Sequence, residues 1–335
     1  MKNVGVVGLG KMGILHAGIL NSMPDTRVTS ICEKESLLVK LAKNLLPNTV
    51  TLYKNHTQMV ENEELDAVFI TTPISSHVAI ATDLVAANPE LSLFVEKPLG
   101  ASADQALAAC EAAKKLRGIH MVGFQKRYSP VFQRAKQLIE QDAIGDLMFF
   151  RAHSFSSDVV REGQSWRFRS GTGGVLLDLA PHVLDTILWF FGKPHSVLSV
   201  KRRLYSSEVD DYVHAAMSFE SGLKGHMDTC WSIRSFRLPE ISIEVHGKNG
   251  TLTVTDDFVK LEVEKGSGSV SRDAQIYYKQ SFGTSVPFLL AEPEYTWEDQ
   301  AFLLGIDERK LPESSFFAAA EVNTLIDRIA ERAEG

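Results

Sequence analysis

Cysteine is scarce in this chain of 335 residues: Cys32, Cys110 and Cys230 are far apart, odd in number and form no CxxC pair. That excludes a disulfide framework and a zinc knuckle, and it fits a reducing cytoplasm. No uncharged run is long enough to span a bilayer. The apolar opening stretch is interrupted by Lys11 and His16 and followed by no small-residue cleavage pattern, so it does not read as a secretion signal. Basic charge is not in excess either. A net charge of -7 argues against a general nucleic-acid binder and against an anionic membrane partner. Internal repeats and low-complexity linkers are missing. What remains is the composition of an ordinary globular protein, at a length for which two domains are the natural prior.

The first half alternates strand and helix patterns. Residues 4–7 form a short apolar run consistent with a buried parallel strand. Gly8, Gly10 and Gly13 then make a GxGxxG with Lys11 and Met12 inside it, opening an amphipathic helix over 12–22. After a strand and before a helix this reads as a dinucleotide turn. Gly8 permits the tight bend, Gly10 lets the backbone approach a pyrophosphate, and Gly13 lets the helix pack on the strand. A second strand, 27–32, ends at Glu33, about twenty residues on, where a carboxylate accepts from the adenosine ribose. A carboxylate there repels a 2′-phosphate, which favours NAD(H); Lys34 next to it leaves NADP(H) open. Further strands are expected at 49–52, 67–71, 91–95 and 120–123, with helices at 36–46, 76–87 and 103–116. Such alternation predicts a doubly wound parallel sheet. Lys97 follows the fifth strand, where open α/β sheets bind ligands. Its bland alternatives are a surface ammonium or a contact to a cofactor phosphate.

In the second half, residues 174–191 read as one helix after Gly173 and Gly174. Asp178, His182 and Asp185 fall at i, i+4 and i+7 on one face of it. A satisfied ion pair is the plain explanation; acid/base chemistry by His182 is the sharper one, with Asp178 orienting one partner and Asp185 structural. No metal is expected, because a one-face ladder of this kind is common in ion-paired helices. A helix is expected at 130–141 and a strand at 147–155. Alternating apolar residues near 213–219, 241–245 and 259–263 predict a large, mainly antiparallel open sheet, with a hairpin turn at 247–250. Residues 264–280 read as a polar loop with a ragged strand, and helices close the chain near 295–304 and 314–332. Arg127, Arg161, Arg167 and Arg169 would meet an anionic substrate or form a solvated loop face; Arg167 is the one favoured for substrate.

These motifs together resemble the Gfo/Idh/MocA oxidoreductases. The ordered set is Gly8, Gly10 and Gly13; Thr71-Thr72-Pro73 with His77; Glu96-Lys97-Pro98; Gly123 to Tyr128; and Gly173-Gly174 through Asp178, His182 and Asp185. Gln125 stands where asparagine is frequent, and Ala180-Pro181 where a glycine and a small residue are usual. The resemblance implies an NAD-binding Rossmann domain over 1–123. A C-terminal α+β substrate-binding and oligomerisation domain follows over 124–335, its last helix packing back on the first domain. It implies hydride transfer between a nicotinamide and a hydroxyl carbon of a sugar or cyclitol. Lys97, His182 and Asp178 would be catalytic and would meet in an interdomain cleft. Gly8, Gly10, Lys11, Met12, Gly13, Glu33, Lys34, Thr71, Thr72, Pro73, His77, Glu96, Lys97 and Gln125 would face the cofactor. Lys97, Arg127, Tyr128, Trp166, Arg167, Asp178 and His182 would face the substrate. The Lys97–Pro98 bond is expected to be cis, and the assembly a homodimer or homotetramer through the C-terminal sheet. The rival readings are an NAD-dependent glycosidase of the same family and a catalytically silent NAD(H) sensor.

Overall fold

The structure, a computed structural model, describes residues 1–35, 38–39, 49–236, 238–264, 274–283 and 289–334. The helix expected over 36–46 therefore lies, apart from Leu38 and Val39, outside the described residues, as does most of the 264–280 loop. Two compact units are present: Met1–Gln125 with Thr284–Asn323, and Lys126–Gly283 with Thr324–Gly335. The expected division after residue 123 had the last helix packing back on the first domain; residues 284–323 count with the first unit.

The first unit is built on β1 (Lys2–Val7), α1 (Lys11–Ser22), β2 (Thr26–Cys32), β3 (Thr51–Tyr53), α2 (His56–Asn62) and β4 (Ala67–Ile70). It continues through α3 (His77–Ala87), β5 (Ser92–Val95), α4 (Ala103–Ala113) and β6 (His120–Val122). Its sheet has the order β3-β2-β1-β4-β5-β6 with every pair parallel. Strands β4 and β5 are buried at every position because helices cover both faces. Phe69 of β4 and Phe94 of β5 stack with centroids 4.5 Å apart. The edge of Phe302 meets both rings, at 5.3 and 5.7 Å. Phe302 belongs to the late helix Pro293–Glu308, so an aromatic anchor far along the chain completes the core of this sheet. No local pattern in the sequence announces such a contact. The sheet order reverses direction at β1 and β4, and the turns after β1, β4 and β5 lie at the carboxyl ends of the strands, where such sheets take ligands.

The second unit contains α5 (Pro130–Glu140), β7 (Leu147–Phe155), α6 (Val175–Asp178), α7 (Ala180–Phe191) and β8 (Ser196–Arg202). Strands β9 (Tyr212–Ser218), β10 (Lys224–Cys230), β11 (Glu240–Gly247), β12 (Gly250–Thr255), β13 (Phe258–Val263) and β14 (Gln275–Tyr278) follow. With β15 (Ala333–Glu334) they form a sheet of order β14-β13-β12-β11-β7-β10-β9-β8-β15. Its pairs are antiparallel except β7 with β10 and β8 with β15. Burial alternates strictly along β9 and β11, so one face is core and the other is not. Phe150 of β7 stacks on Phe191 of α7, 4.7 Å between centroids, on the core side. The remaining helices are α8 (Pro293–Glu308) in the first unit and α9 (Phe316–Glu331), whose residues fall in both.

The helix expected over 174–191 is two helices, α6 and α7, separated at Leu179. Pro181 explains the break. It has no N–H to continue a hydrogen-bond ladder, and it is well placed in the first turn of a new helix.

Candidate active site

The glycine turn has the geometry that its spacing predicts. Gly8 has φ +98, and a Cβ there would lie 2.8 Å from the Thr72 methyl group. A Cβ on Gly13 would lie 1.9 Å from the Gly8 carbonyl oxygen, so α1 can start this close to β1 only with glycine at 13. Around Gly10 there is open space, with nothing within 4 Å of a Cβ position. A side chain at that position would occupy the space through which a pyrophosphate approaches the α1 amides. Thr71 donates its hydroxyl to the Gly8 carbonyl at 2.8 Å, which ties the turn after β4 to the glycine turn. Glu33, at the end of β2, is buried. Its Oε2 accepts the Leu9 N–H at 2.6 Å and its Oε1 accepts the Glu35 N–H at 2.8 Å. The carboxylate is thus fixed against the glycine turn, with lone pairs left to accept ribose hydroxyls. Lys11, Lys34 and Pro73 are exposed, whereas Met12 and Thr72 are half-buried.

Lys97 follows β5, half-buried, and its bond to Pro98 is cis. Two residues expected at the cofactor are engaged otherwise. His77 is buried with Nε2 2.7 Å from the Thr72 carbonyl and Nδ1 2.9 Å from the Pro98 carbonyl. Burial pushes its pKa down, and the two carbonyls oppose that shift. Its nitrogens therefore serve the loops on either side. Glu96 is buried as well: Oε1 pairs with His16 Nε2 at 2.9 Å, and Oε2 accepts the Lys97 N–H at 3.1 Å. Gln125 is also buried.

Sequence reasoning missed the acidic face of α8, because Glu294, Glu298 and Asp299 look like solvated helix residues until the fold buries them. All three are fully buried. Among the described residues, His16, Glu298 and Asp299 bring donor atoms within 4.8 Å of one another, the spacing of a metal site. His16 has both nitrogens against carboxylates, however, and an imidazolium has no lone pair for a metal. Neither Glu298 oxygen has a hydrogen-bond partner among the described residues. Burial, and behind it the carboxylates of Glu96, Asp299 and Glu294, holds its pKa well above the ordinary 4.5, against the charge of His16. A folded pKa above the unfolded one gives stability that is complete below the unfolded value and is lost as pH rises through the folded value. Glu298→Gln removes that loss. Its melting temperature is expected to exceed that of the wild type by a margin growing between about pH 5 and about pH 8; a constant or shrinking margin would contradict the assignment.

In the second unit, the turn over 167–174 is closed by backbone hydrogen bonds. The Gly173 and Gly174 N–H groups donate to the carbonyls of Arg169 and Arg167, each at 2.8 Å. A Cβ on Gly173 would lie 2.1 Å from the Arg167 carbonyl oxygen, so glycine permits the wrap. The wrap places Arg167 Nε 2.9 Å from Asp178 Oδ2, with Asp158 4.0 Å from the same guanidinium. Asp178 and Asp185, which the spacing places on one face, thus serve different cations. Arg127 forks onto Asp185 with Nε and Nη2 at 2.8 and 2.7 Å, and both side chains are buried. Arg127, expected at the substrate, and Asp185, expected to be structural, are thus held to each other. Tyr128, Trp166, Arg167 and His182 are half-buried; Arg161 and Arg169 are exposed.

Comparison with known proteins accords with this geometry. Residues 2–124 match the model described as the oxidoreductase family, NAD-binding Rossmann fold, and residues 132–253 match the GFO/IDH/MocA C-terminal domain. The rhizopine catabolism protein MocA of Rhizobium meliloti is 27% identical over 57% of each chain. Levoglucosan dehydrogenase of Pseudarthrobacter phenanthrenivorans is 26% identical over 95% of this chain and 88% of its own. The scyllo-inositol 2-dehydrogenase (NAD(+)) of Bacillus subtilis is 26% identical over 83% and 82%. The solved structure of a levoglucosan dehydrogenase in complex with NADH superposes with a TM-score of 0.86, covering 99% of this chain and 96% of that one at 24% identity. With both halves of the chain matched by models of one family and the fold shared over nearly its whole length, this chain belongs to the Gfo/Idh/MocA family of NAD-binding oxidoreductases.

Proposed function

We propose that this chain oxidises a secondary alcohol of an uncharged sugar or cyclitol with NAD. The observation that carries the choice of an uncharged substrate is the pairing of Arg167 with Asp178 and Asp158, which neutralises the cation an anionic sugar would seek. The relatives named for levoglucosan and scyllo-inositol support the same class. NAD, which the glycine turn and Glu33 would hold, would supply the hydride acceptor for the carbinol carbon. His182 accepts the hydroxyl proton as the carbonyl forms, and the Lys97 ammonium donates a hydrogen bond to the same oxygen as negative charge develops on it. Asp178, held by Arg167, orients the substrate or one of these two partners. The test is a panel of polyols, sugars and sugar acids assayed with NAD by absorbance of the reduced nicotinamide. Turnover confined to sugar acids would contradict the neutral-substrate reading. Release of free sugar without net NADH would favour a glycosidase, and binding of NAD without turnover a sensor.

Glu33 leads us to expect NAD over NADP. The ratio of kcat/KM should favour NAD by on the order of tenfold or more, equivalent to about 1.4 kcal/mol. Glu33→Ala should narrow it by lifting repulsion of the 2′-phosphate; a wild-type preference for NADP would mean that Lys34 outweighs the carboxylate. We also read the open face of the nine-stranded sheet as a surface between copies of this chain. It carries Phe149, Phe155, His153, His214, His226 and His246 on alternating positions, half-buried or more exposed, rather than a fully charged solvent face. Light scattering on the purified protein would show a dimer or tetramer if this is right and a monomer if not. The three buried cysteines are free, and burial raises the thiols of Cys32 and Cys110 to about 11, which suits the reducing cytoplasm we infer.

A further inference from the structure

Directly behind the Glu96-Lys97-Pro98 corner, the first unit buries a row of ionisable groups that hydride transfer does not call for. His16, on α1, has no exposed surface. Its Nε2 lies 2.9 Å from Glu96 Oε1, and its Nδ1 lies 2.9 and 3.0 Å from the two oxygens of Asp299 on α8. A neutral imidazole has one N–H and cannot donate to both carboxylates; an imidazolium can. Burial alone would lower the pKa of His16, but Asp299 and then Glu96 raise it well above 6.5. The ring is boxed by Phe94 at 5.0 Å and Phe69 at 5.5 Å, with Tyr295 at 6.2 Å, so it has little room to turn.

The other end of the row is the functional corner. Glu96 is buried, and burial would push its carboxyl toward the neutral form; the hydrogen bond and charge of His16, then the charge of Lys97, hold its pKa below the usual value. Its second oxygen accepts the N–H of Lys97. The backbone that presents the Lys97 side chain is therefore held by a carboxylate, the carboxylate by an imidazolium, and the imidazolium by Asp299. Glu294, Glu298 and Tyr295 are the other ionisable groups of α8 around this row.

We propose that His16 and Asp299 are positioning residues for Lys97, acting through the Glu96 carboxylate that accepts the Lys97 N–H. The inference rests on the reading of Lys97 as the group that stabilises the substrate oxygen. It assigns a function to α8: through Asp299 it supports the corner after β5, and through Phe302 the sheet below.

The experiment uses the full chain and the best substrate from the panel above. His16→Gln, Asp299→Asn, Glu96→Gln, the double variant His16→Gln/Glu96→Gln, and Lys97→Met are compared for kcat, KM, NAD affinity and melting temperature. His16→Gln should lower kcat by on the order of 10-fold to 100-fold, with KM and NAD affinity within about twofold, because misplacement alone is costly to chemistry. On the Glu96→Gln background the same change should cost nothing further in kcat. A loss in melting temperature without a fall in kcat of the folded protein would overturn the proposal, as would costs in kcat that add in the double variant. Nitrogen-15 NMR of the wild-type ring gives a readout that no variant can spoil by misfolding. Both His16 nitrogens should remain protonated at about pH 8, above the ordinary imidazole value, and a single ring proton there would overturn the bridge. If Lys97→Met retained normal turnover, the reading of Lys97 would fall and this inference with it. If Lys97→Met were inactive while His16→Gln matched the wild type, only the relay would be wrong.

Discussion

Replacing His182 by alanine is expected to lower kcat by on the order of 10²–10⁴ while leaving NAD affinity within about twofold. The argument starts from the reaction. A carbinol cannot deliver hydride without losing its hydroxyl proton, and general base catalysis by a positioned side chain contributes a factor of that size. His182 stands in the first turn of α7, half-buried, one turn after an acidic residue fixed by Arg167. Lys97→Met should lower kcat comparably, because the oxygen that gives up a proton also accumulates charge. In the oxidative direction the base works in its neutral form, so kcat/KM of the wild type should rise with pH along an acid limb, and His182→Ala should lack that limb. Near-normal turnover by either variant on the true substrate would refute the assignment, and so would a limb that survives in His182→Ala.

Asp185→Ala is expected to destabilise the protein by about 3–5 kcal/mol, because it leaves the Arg127 guanidinium buried without its forked partner. The pair is bidentate and almost fully shielded from solvent, on the inner side of α7. Replacing both members, as in Arg127→Met with Asp185→Leu, should recover most of the loss, since two well-packed apolar side chains need no compensating charge. Thermal or urea unfolding of the single and double variants measures this. Were Asp185→Ala as stable as the wild type but defective in substrate KM, the pair would belong to substrate recognition after all.

The outline of the first unit was legible in the sequence because its signals are local. Gly8, Gly10 and Gly13 follow a buried strand; Gly8 and Gly13 are needed by backbone geometry within a few residues of themselves, and Gly10 leaves the space before α1 open. The paired burial of β4 and β5 shows as apolar runs, and the alternation in β9 and β11 marks a sheet with one face turned to the core. Lys97 could be singled out because a strand end fixes its location, whatever its side chain meets. The split of the 174–191 helix was also written locally, in the missing N–H of Pro181, although the apolar periodicity concealed it. Tertiary structure alone decided which charges are partners. Asp178 and Asp185 are equivalent in spacing, yet one meets Arg167 and the other Arg127, because loops of different origin arrive at the two ends of the α6–α7 pair. The burial of His16 between Glu96 and Asp299 needs residues 80 and 283 positions away in sequence. Periodicity reports only on the side of a helix that faces the core. It is silent on which distant carboxylate will be waiting there, since an ion pair is fixed by proximity after folding and not by the order of residues along the chain.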